Sequence, residues 1–414
     1  MKSKQDVQCR IRYLRVLYVI LVFTGIMSLL PLLQNMNKSL SVTFYQKMLS
    51  DNEIKEKKPC QPHTHIFFLK THKTAGSTIM NILFRFGESH NLTIAFPVYN
   101  SAQFFYPQYF SAAFVEGYIQ NPTRNFDIMC HHMRFHMGEV EKVMPKDTFY
   151  FTILRNPVSL MESSFIYFKG ADIFLKAESL ETFIWNPYKF YNKTSKYSHF
   201  GKNLMTFDLG FDHNGPESTK YFKLTQNALN TMFDLVLITE HFDESLVLLK
   251  EALCWSYDDV LSFPLNSREE NNREILSVET QERIKIWNQL DWQLYVYFNK
   301  TFWEKVEKFG QERMQQEVEE LRRRRAKQSD ICIQNHVNAN YIKDKSLKPY
   351  QTGLAKILGY NLKSGLGKAE MSLCQRLVTP ELQYSEYLLR KQRQALPRTK
   401  NVFKVRRFLD NQNI

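Results

Sequence analysis

Residues 63–86 read HTHIFFLKTHKTAGSTIMNILFRF, and their pattern decides the fold class. Through Leu69 the stretch is a short, mostly apolar run of the kind that makes a buried strand, while IMNILFRF from Ile79 carries apolar residues at helical spacing. Between them lies the polar loop Lys70–Thr78. A loop passing from a buried strand into a helix aims backbone N–H groups and the positive helix end at whatever lies above, which makes an anion site. Its candidate contacts are Lys70, Thr71, Lys73, Thr74, Ala75, Gly76, Ser77 and Thr78. Gly76 permits close backbone approach, Ser77 and Thr78 bring hydroxyl donors, and Lys73 can set an ammonium beside a reacting bond.

Two more units of this kind follow. Phe149–Leu154 (FYFTIL) is a second apolar run, then come Arg155 and Asn156, then a helical segment VSLMESSFIYF opened by Pro157. Proline suits a helix's first turn, because the N–H it lacks would have had no partner there. The third unit is FDLVLIT at 233–239 followed by HFDESLVLLKEALCW. Strands alternating with helices predict an α/β fold, a P-loop-like parallel sheet flanked by helices on both faces. Val278–Gln328 reads as long amphipathic helix, with Trp287, Leu290, Leu294, Phe298 and Phe302 as core contacts. The expected catalytic domain spans 63–384, and a basic tail occupies 385–414.

The N-terminus sets the expected compartment. Val16–Leu33 is an uncharged apolar run, close to the ~17 to 25 residues that cross a bilayer. Lys2, Lys4, Arg10, Arg12 and Arg15 precede it against a lone Asp6, which predicts a cytosolic tail at 1–15, a transmembrane signal anchor at 16–33 and a luminal stem at 34–62. No small-x-small cleavage site follows, which disfavours a removed signal peptide. Asn37, Asn91, Asn192 and Asn299 begin N-x-S/T sequons that are usable only in a secretory lumen. Cys60, Cys130, Cys254, Cys332 and Cys374 lie beyond the anchor, where disulfides are allowed, and their odd number leaves at least one unpaired within the chain. The formal net charge of +13 points to an anionic ligand, and a luminal address excludes nucleic acid as that ligand.

The order of lysine and glycine narrows the anion. A Walker A loop, G-x-x-x-x-G-K-[S/T], begins with glycine and places lysine after its second glycine. Here Lys73 precedes Gly76 and the early glycine is missing, so a nucleotide kinase is disfavoured. The order K-T-x-G-S-T is that of sulfotransferase phosphosulfate loops. Arg155 stands at the carboxyl end of a strand, where open α/β sheets bind ligands, and Ser163 follows two helical turns into the next helix. That R-x7-S spacing resembles the 3′-phosphate site of sulfotransferases, with a planar guanidinium fork for phosphate and a hydroxyl beside it. FLKTHKTAGST, NILFRF, CHHMRFH, ILRNP, EHFDESLVLLK, ILGYNL and RLVTPELQY, spread over residues 64–384, resemble segments of the galactose-3-O-sulfotransferases, the galactosylceramide sulfotransferase family, and most of all its glycoprotein-acting members. The resemblance implies a sulfotransferase fold in a Golgi membrane, with 3′-phosphoadenosine-5′-phosphosulfate (PAPS) as sulfuryl donor and no required metal. It implies the 3-hydroxyl of a galactose-terminated glycan, on glycoprotein or glycolipid, as acceptor, and it leaves room for a homo-oligomer.

Sulfuryl transfer requires in-line positioning, charge stabilisation on the leaving phosphate, and a base for the acceptor hydroxyl. Lys73 is the expected cation. Histidine, with a reference pKa of ~6.5, suits the base. His131, His132 and His136 follow the expected strand Phe126–Cys130. The H-x-x-[F/Y] setting of His132 resembles the catalytic histidine of uronyl 2-O-sulfotransferases, which makes His132 the expected base. His136, one helical turn on, is a second catalytic or sugar-contacting candidate. His72 competes for the base, and Arg134 is a candidate acceptor contact. The alternative readings are a Golgi sulfotransferase acting on a uronic acid 2-hydroxyl or hexosamine 6-hydroxyl, and a non-enzymatic glycan-binding membrane protein.

Overall fold

The structure, a computed structural model, describes residues 60–100, 102–269 and 275–395. The tail 1–15, the anchor 16–33, all but the end of the stem 34–62, Asn37 and residues 396–414 lie outside the described residues. Among those described, no helix is long and apolar enough to cross a membrane.

The three sequence units form as expected. Ile66–Leu69 is strand β1 and Gly76–Ser89 helix α1; after them come β2 (Ile94–Ala95) and β3 (Ile128–Met129). Phe149–Leu154 is β4, Pro157–Tyr167 α2, Leu204–Asp208 α3, Thr219–Met232 α4, Leu235–Ile238 β5 and Phe242–Leu253 α5. The strands make one five-stranded sheet in the order β2-β3-β1-β4-β5, every pair parallel. Helices cover a parallel sheet on both sides, so its strands are continuous apolar runs, and Ile66 to Leu69 are wholly buried. Phe67 pairs with Met129 on one side and Tyr150 on the other. Since the chain leaves β1 to build first one flank and then the other, the carboxyl ends of β1, β3 and β4 meet at a switch in strand order, the place where such sheets bind ligands.

The expected long helix is three. Val278–Trp287 (α6), Gln289–Phe309 (α7) and Gln311–Cys332 (α8) are separated at Asn288 and Gly310. Gly310 has φ 98°, a backbone turn that glycine makes at little steric cost. Trp287, Leu290, Leu294, Phe298 and Phe302 are buried, as core contacts should be.

After α8, Ile333–Asn338 (β6) and Leu358–Leu362 (β7) pair antiparallel, followed by α9 (Lys368–Val378) and α10 (Glu381–Ala395). A disulfide joins Cys332 to Cys374 in a small second core with Phe263, Leu347, Tyr360 and Val378. Cys60 and Cys254 are also disulfide-bonded, and Cys130 is free and buried.

The boundary expected at residue 384 falls inside α10. Its side chains are tied to the sheet domain: Lys391 pairs with Glu88 at 3.0 Å and Arg393 with Glu116 at 2.8 Å. The Gln392 amide accepts from Ile94 N at 2.8 Å and donates to Ile94 O at 3.0 Å. In this way a side-chain amide stands in for the missing neighbour of edge strand β2. The helix that carries these contacts runs from Glu381 to Ala395, past that boundary.

Candidate functional site

The loop after β1 is held by its own hydroxyls. Thr71 Oγ1 donates to Ile153 O of β4 at 2.6 Å, Thr74 Oγ1 to Thr71 O at 3.0 Å, and Thr239 Oγ1, just past β5, to Thr74 O at 3.0 Å. Lys73 and Ala75 take left-handed φ values of 59° and 65°. Such a conformation costs a side-chain-bearing residue roughly 1–2 kcal/mol, and alternation of this kind turns successive N–H groups into an anion-cradling concavity. Gly76 opens α1 for a reason the sequence did not show. A Cβ there would stand 2.8 Å from Lys70 Cγ, so glycine makes room for the lysine stem.

A cavity of about 560 Å³ lies over this loop, within the ~300–1,000 Å³ usual for ligand pockets. All eight predicted loop residues line it, and so do Arg155, Ser163 and His132. Arg155 donates to Lys73 O at 2.8 Å, joining the head of α2 to the loop. The Asn156 side chain caps α2 by accepting from Val158 N, which turns Ser163 onto the cavity wall two turns later. Lys73 sets its ammonium 3.5 Å from the centroid of the Tyr167 ring. Burial, and then the Arg155 guanidinium beside it, push that amine down to about 7.

The histidines separate. His132 Nδ1 lies 2.8 Å from Lys70 O. A carbonyl only accepts, so Nδ1 carries the proton and Nε2 keeps its lone pair. Burial first, and then the neighbouring His72 ring, hold His132 well below the ordinary imidazole value. His72 stacks on it, with ring centroids 3.9 Å apart at 10°. Asp208, wholly buried at the end of α3, accepts from His72 N at 2.7 Å and Tyr106 OH at 2.7 Å, and stands 3.0 Å from His72 Nδ1. His72 Nε2 is buried without a partner.

The other candidates are not in the cavity wall. His131 is buried, 2.8 Å from Ser385 Oγ. Arg134 lies over the Tyr109 and Phe207 rings at 3.7 and 4.1 Å. His136 is exposed. Its expected place one helical turn from His132 is corrected by the backbone: bridges Gln103↔His132 and Tyr109↔Arg134 hold this segment extended. His136 itself has φ −145° and ψ 99°.

Comparison with known proteins bears on this cavity. The sequence profile described as Galactose-3-O-sulfotransferase matches residues 1–392. The chain is 48% identical to Galactose-3-O-sulfotransferase 2 of Sus scrofa over 337 residues, 80% of this chain and 85% of that protein. The chain belongs to the galactose-3-O-sulfotransferase family. It is also 48% identical to Galactose-3-O-sulfotransferase 2 of Homo sapiens, covering 78% of this chain and 82% of the relative. Identity to Galactosylceramide sulfotransferase of Homo sapiens is 44%, over 78% of each chain.

In this galactose-3-O-sulfotransferase-family chain, several cavity groups have no local signal in the sequence. Glu381, the first residue of α10, accepts from Lys70 Nζ at 2.6 Å, with the lysine side chain only 3% exposed. Although burial pushes its carboxyl up, Lys70 and then Ser77 hold Glu381 below the usual carboxylate value. Lys70 is thereby neutralised within the protein, while Lys73 and Arg155 line the same cavity. Leu347, Tyr360 and Val378, from the small disulfide core, also line the cavity. Arg268 also comes from a segment that no motif joins to the loop.

Proposed function

We propose that this enzyme transfers the sulfuryl group of PAPS to the 3-hydroxyl of galactose in β-galactoside glycans of glycoproteins or glycolipids. The observation that carries the reading is the convergence of Lys73, Arg155, Ser163 and His132 on one cavity in a member of this family. The names of its relatives support galactose and its 3-hydroxyl. The residues present fit a bisphosphorylated nucleotide: the loop N–H groups and Lys73 can receive one phosphate, and Arg155 with Ser163 another.

Each residue has a defined task. The loop N–H groups and the Lys73 ammonium offset the negative charge that gathers on the leaving phosphate as the S–O bond breaks. The acceptor oxygen bonds to sulfur and its proton passes to His132 Nε2, the ring nitrogen with a free lone pair. Both rings line the cavity, and His132 is the better base of the stacked pair because His72 Nε2 is buried without a partner. Asp208 and Tyr106 hold the His72 ring against it. The apolar run 16–33 and the basic residues before it support a single-pass type II Golgi membrane enzyme with its catalytic domain luminal.

The test is labelled PAPS offered side by side with β-galactosides and heparan, followed by linkage analysis. Label on galactose O3 is the expected product. Label on a uronic acid or hexosamine instead would replace the acceptor assignment. Protease protection of the catalytic domain in sealed Golgi vesicles tests the orientation.

A further inference from the structure

Arg268 stands on the cavity wall about a hundred positions along the chain from Ser163, in the segment Pro264–Arg268 that borders the pocket. The segment is pinned from the far side. Arg268 bridges Ile357 antiparallel, Glu269 N donates to Lys356 O at 3.1 Å, and Leu358 N donates to Ser267 O at 3.0 Å. The side chain is 11% exposed, and its Nη2 sits 2.6 Å from both Glu162 oxygens. Glu162, itself buried, is the residue of α2 immediately before Ser163. Nη1 has no hydrogen-bond partner at all, although it is buried.

A guanidinium carries five N–H donors in a fixed plane, and a buried charged donor without an acceptor is costly. Here one nitrogen is committed to a carboxylate that locks the fork's orientation, and the other is buried without a partner in a residue of the cavity wall that also holds Arg155 and Ser163. A guanidinium so orientated keeps the two N–H groups of Nη1 for a phosphate oxygen. We infer that Arg268, orientated by Glu162, is a third ligand of the donor's 3′-phosphate beside Arg155 and Ser163. Glu162 cancels one unit of charge in the wall but keeps the directed N–H groups, so the site selects phosphate by geometry more than by net charge. Discrimination between 3′-phosphorylated and 3′-hydroxyl nucleotides then depends on a residue far from the loop in sequence.

The inference rests on the PAPS reading above, and the experiment separates the two. Dissociation constants of adenosine 3′,5′-bisphosphate and adenosine 5′-monophosphate are measured on the purified full chain, wild type and variants. Wild type prefers the bisphosphate. Removing Arg268 alone takes the opposite charge from the buried Glu162 carboxylate, so the decisive variant is the double substitution Arg268→Gln with Glu162→Gln, which keeps a neutral hydrogen-bonded pair. Loss of a charged hydrogen bond predicts a bisphosphate affinity about 10- to 100-fold weaker with the monophosphate affinity unchanged, so the preference shrinks by that factor. Arg268→Lys should fall between. An unchanged preference in the double variant, or equal weakening of both nucleotides, overturns the role of Arg268. A wild-type chain with no preference for the bisphosphate removes the donor reading and this inference with it.

Discussion

Lys73 supplies the sharpest quantitative expectation. Its amine is pushed down to about 7 by burial and by Arg155, while a bound nucleotide anion favours the ammonium. Binding therefore draws in a proton wherever the free enzyme has lost it. The sign follows from linkage: above the free-state value the complex holds more protons than free protein, so apparent affinity falls as pH rises. With that value near 7, the free amine is roughly 10% deprotonated at pH 6 and roughly 90% at pH 8. Uptake per nucleotide should climb from about 0.1 to about 0.9 proton, and affinity should drop about tenfold per pH unit above 7. His132, held by burial well below the ordinary imidazole value, adds little to the uptake at pH 8. Titration calorimetry with adenosine 3′,5′-bisphosphate at pH 8, in two buffers of different ionisation enthalpy, reads the uptake directly. The ligand's phosphates are fully ionised there, their second pKa lying near ~6. Lys73→Met should bind with almost no uptake and turn over about 10²–10³-fold more slowly, as when one transition-state donor is removed. Zero uptake by the wild type at pH 8, or equal uptake by Lys73→Met, would refute the placement of that ammonium against the donor.

His132→Asn should lower turnover by about 10²–10⁴-fold while nucleotide affinity measured in the same preparation stays near wild type, because the base acts on the acceptor. Replacing both Cys332 and Cys374 with serine opens a loop of sequence separation 42, a loss of about 4 kcal/mol on the chain-entropy account, read as a lower urea midpoint. Asn192 is exposed, and its side-chain oxygen accepts from Thr194 N and Oγ1, whereas Asn299 lies inside α7 with a buried Oδ1. On gels, Asn192→Gln should therefore run faster by one glycan and Asn299→Gln should not shift.

The parts of the fold legible in the sequence were those with local causes. Buried parallel strands must be apolar on both faces, so HTHIFFL, FYFTIL and FDLVLIT stood out, and the polar loop between strand and helix marked the anion site. Position-specific chemistry carried Arg155, Ser163 and His132 as well, since strand ends converge wherever parallel strands pair. Periodicity misled where neighbours overrode it. Residues 131–136 look able to continue as helix, but bridges to Gln103 and Tyr109 hold them extended and carry His136 away from the cavity. Gly310, a residue that costs little at positive φ, divided what read as one long helix.

The sequence by itself determined the three strand–loop–helix units, the loop that lines the cavity, and the family, because each is written in contiguous residues. Only the tertiary structure decided how the charged groups of the site are paired. Glu381 neutralises Lys70 from 311 positions away, Asp208 orients His72 from 136, and Glu162 aims Arg268 from 106. Such pairings arise when folding buries two distant segments against each other and their polar groups must find partners, and no local pattern in the chain records them.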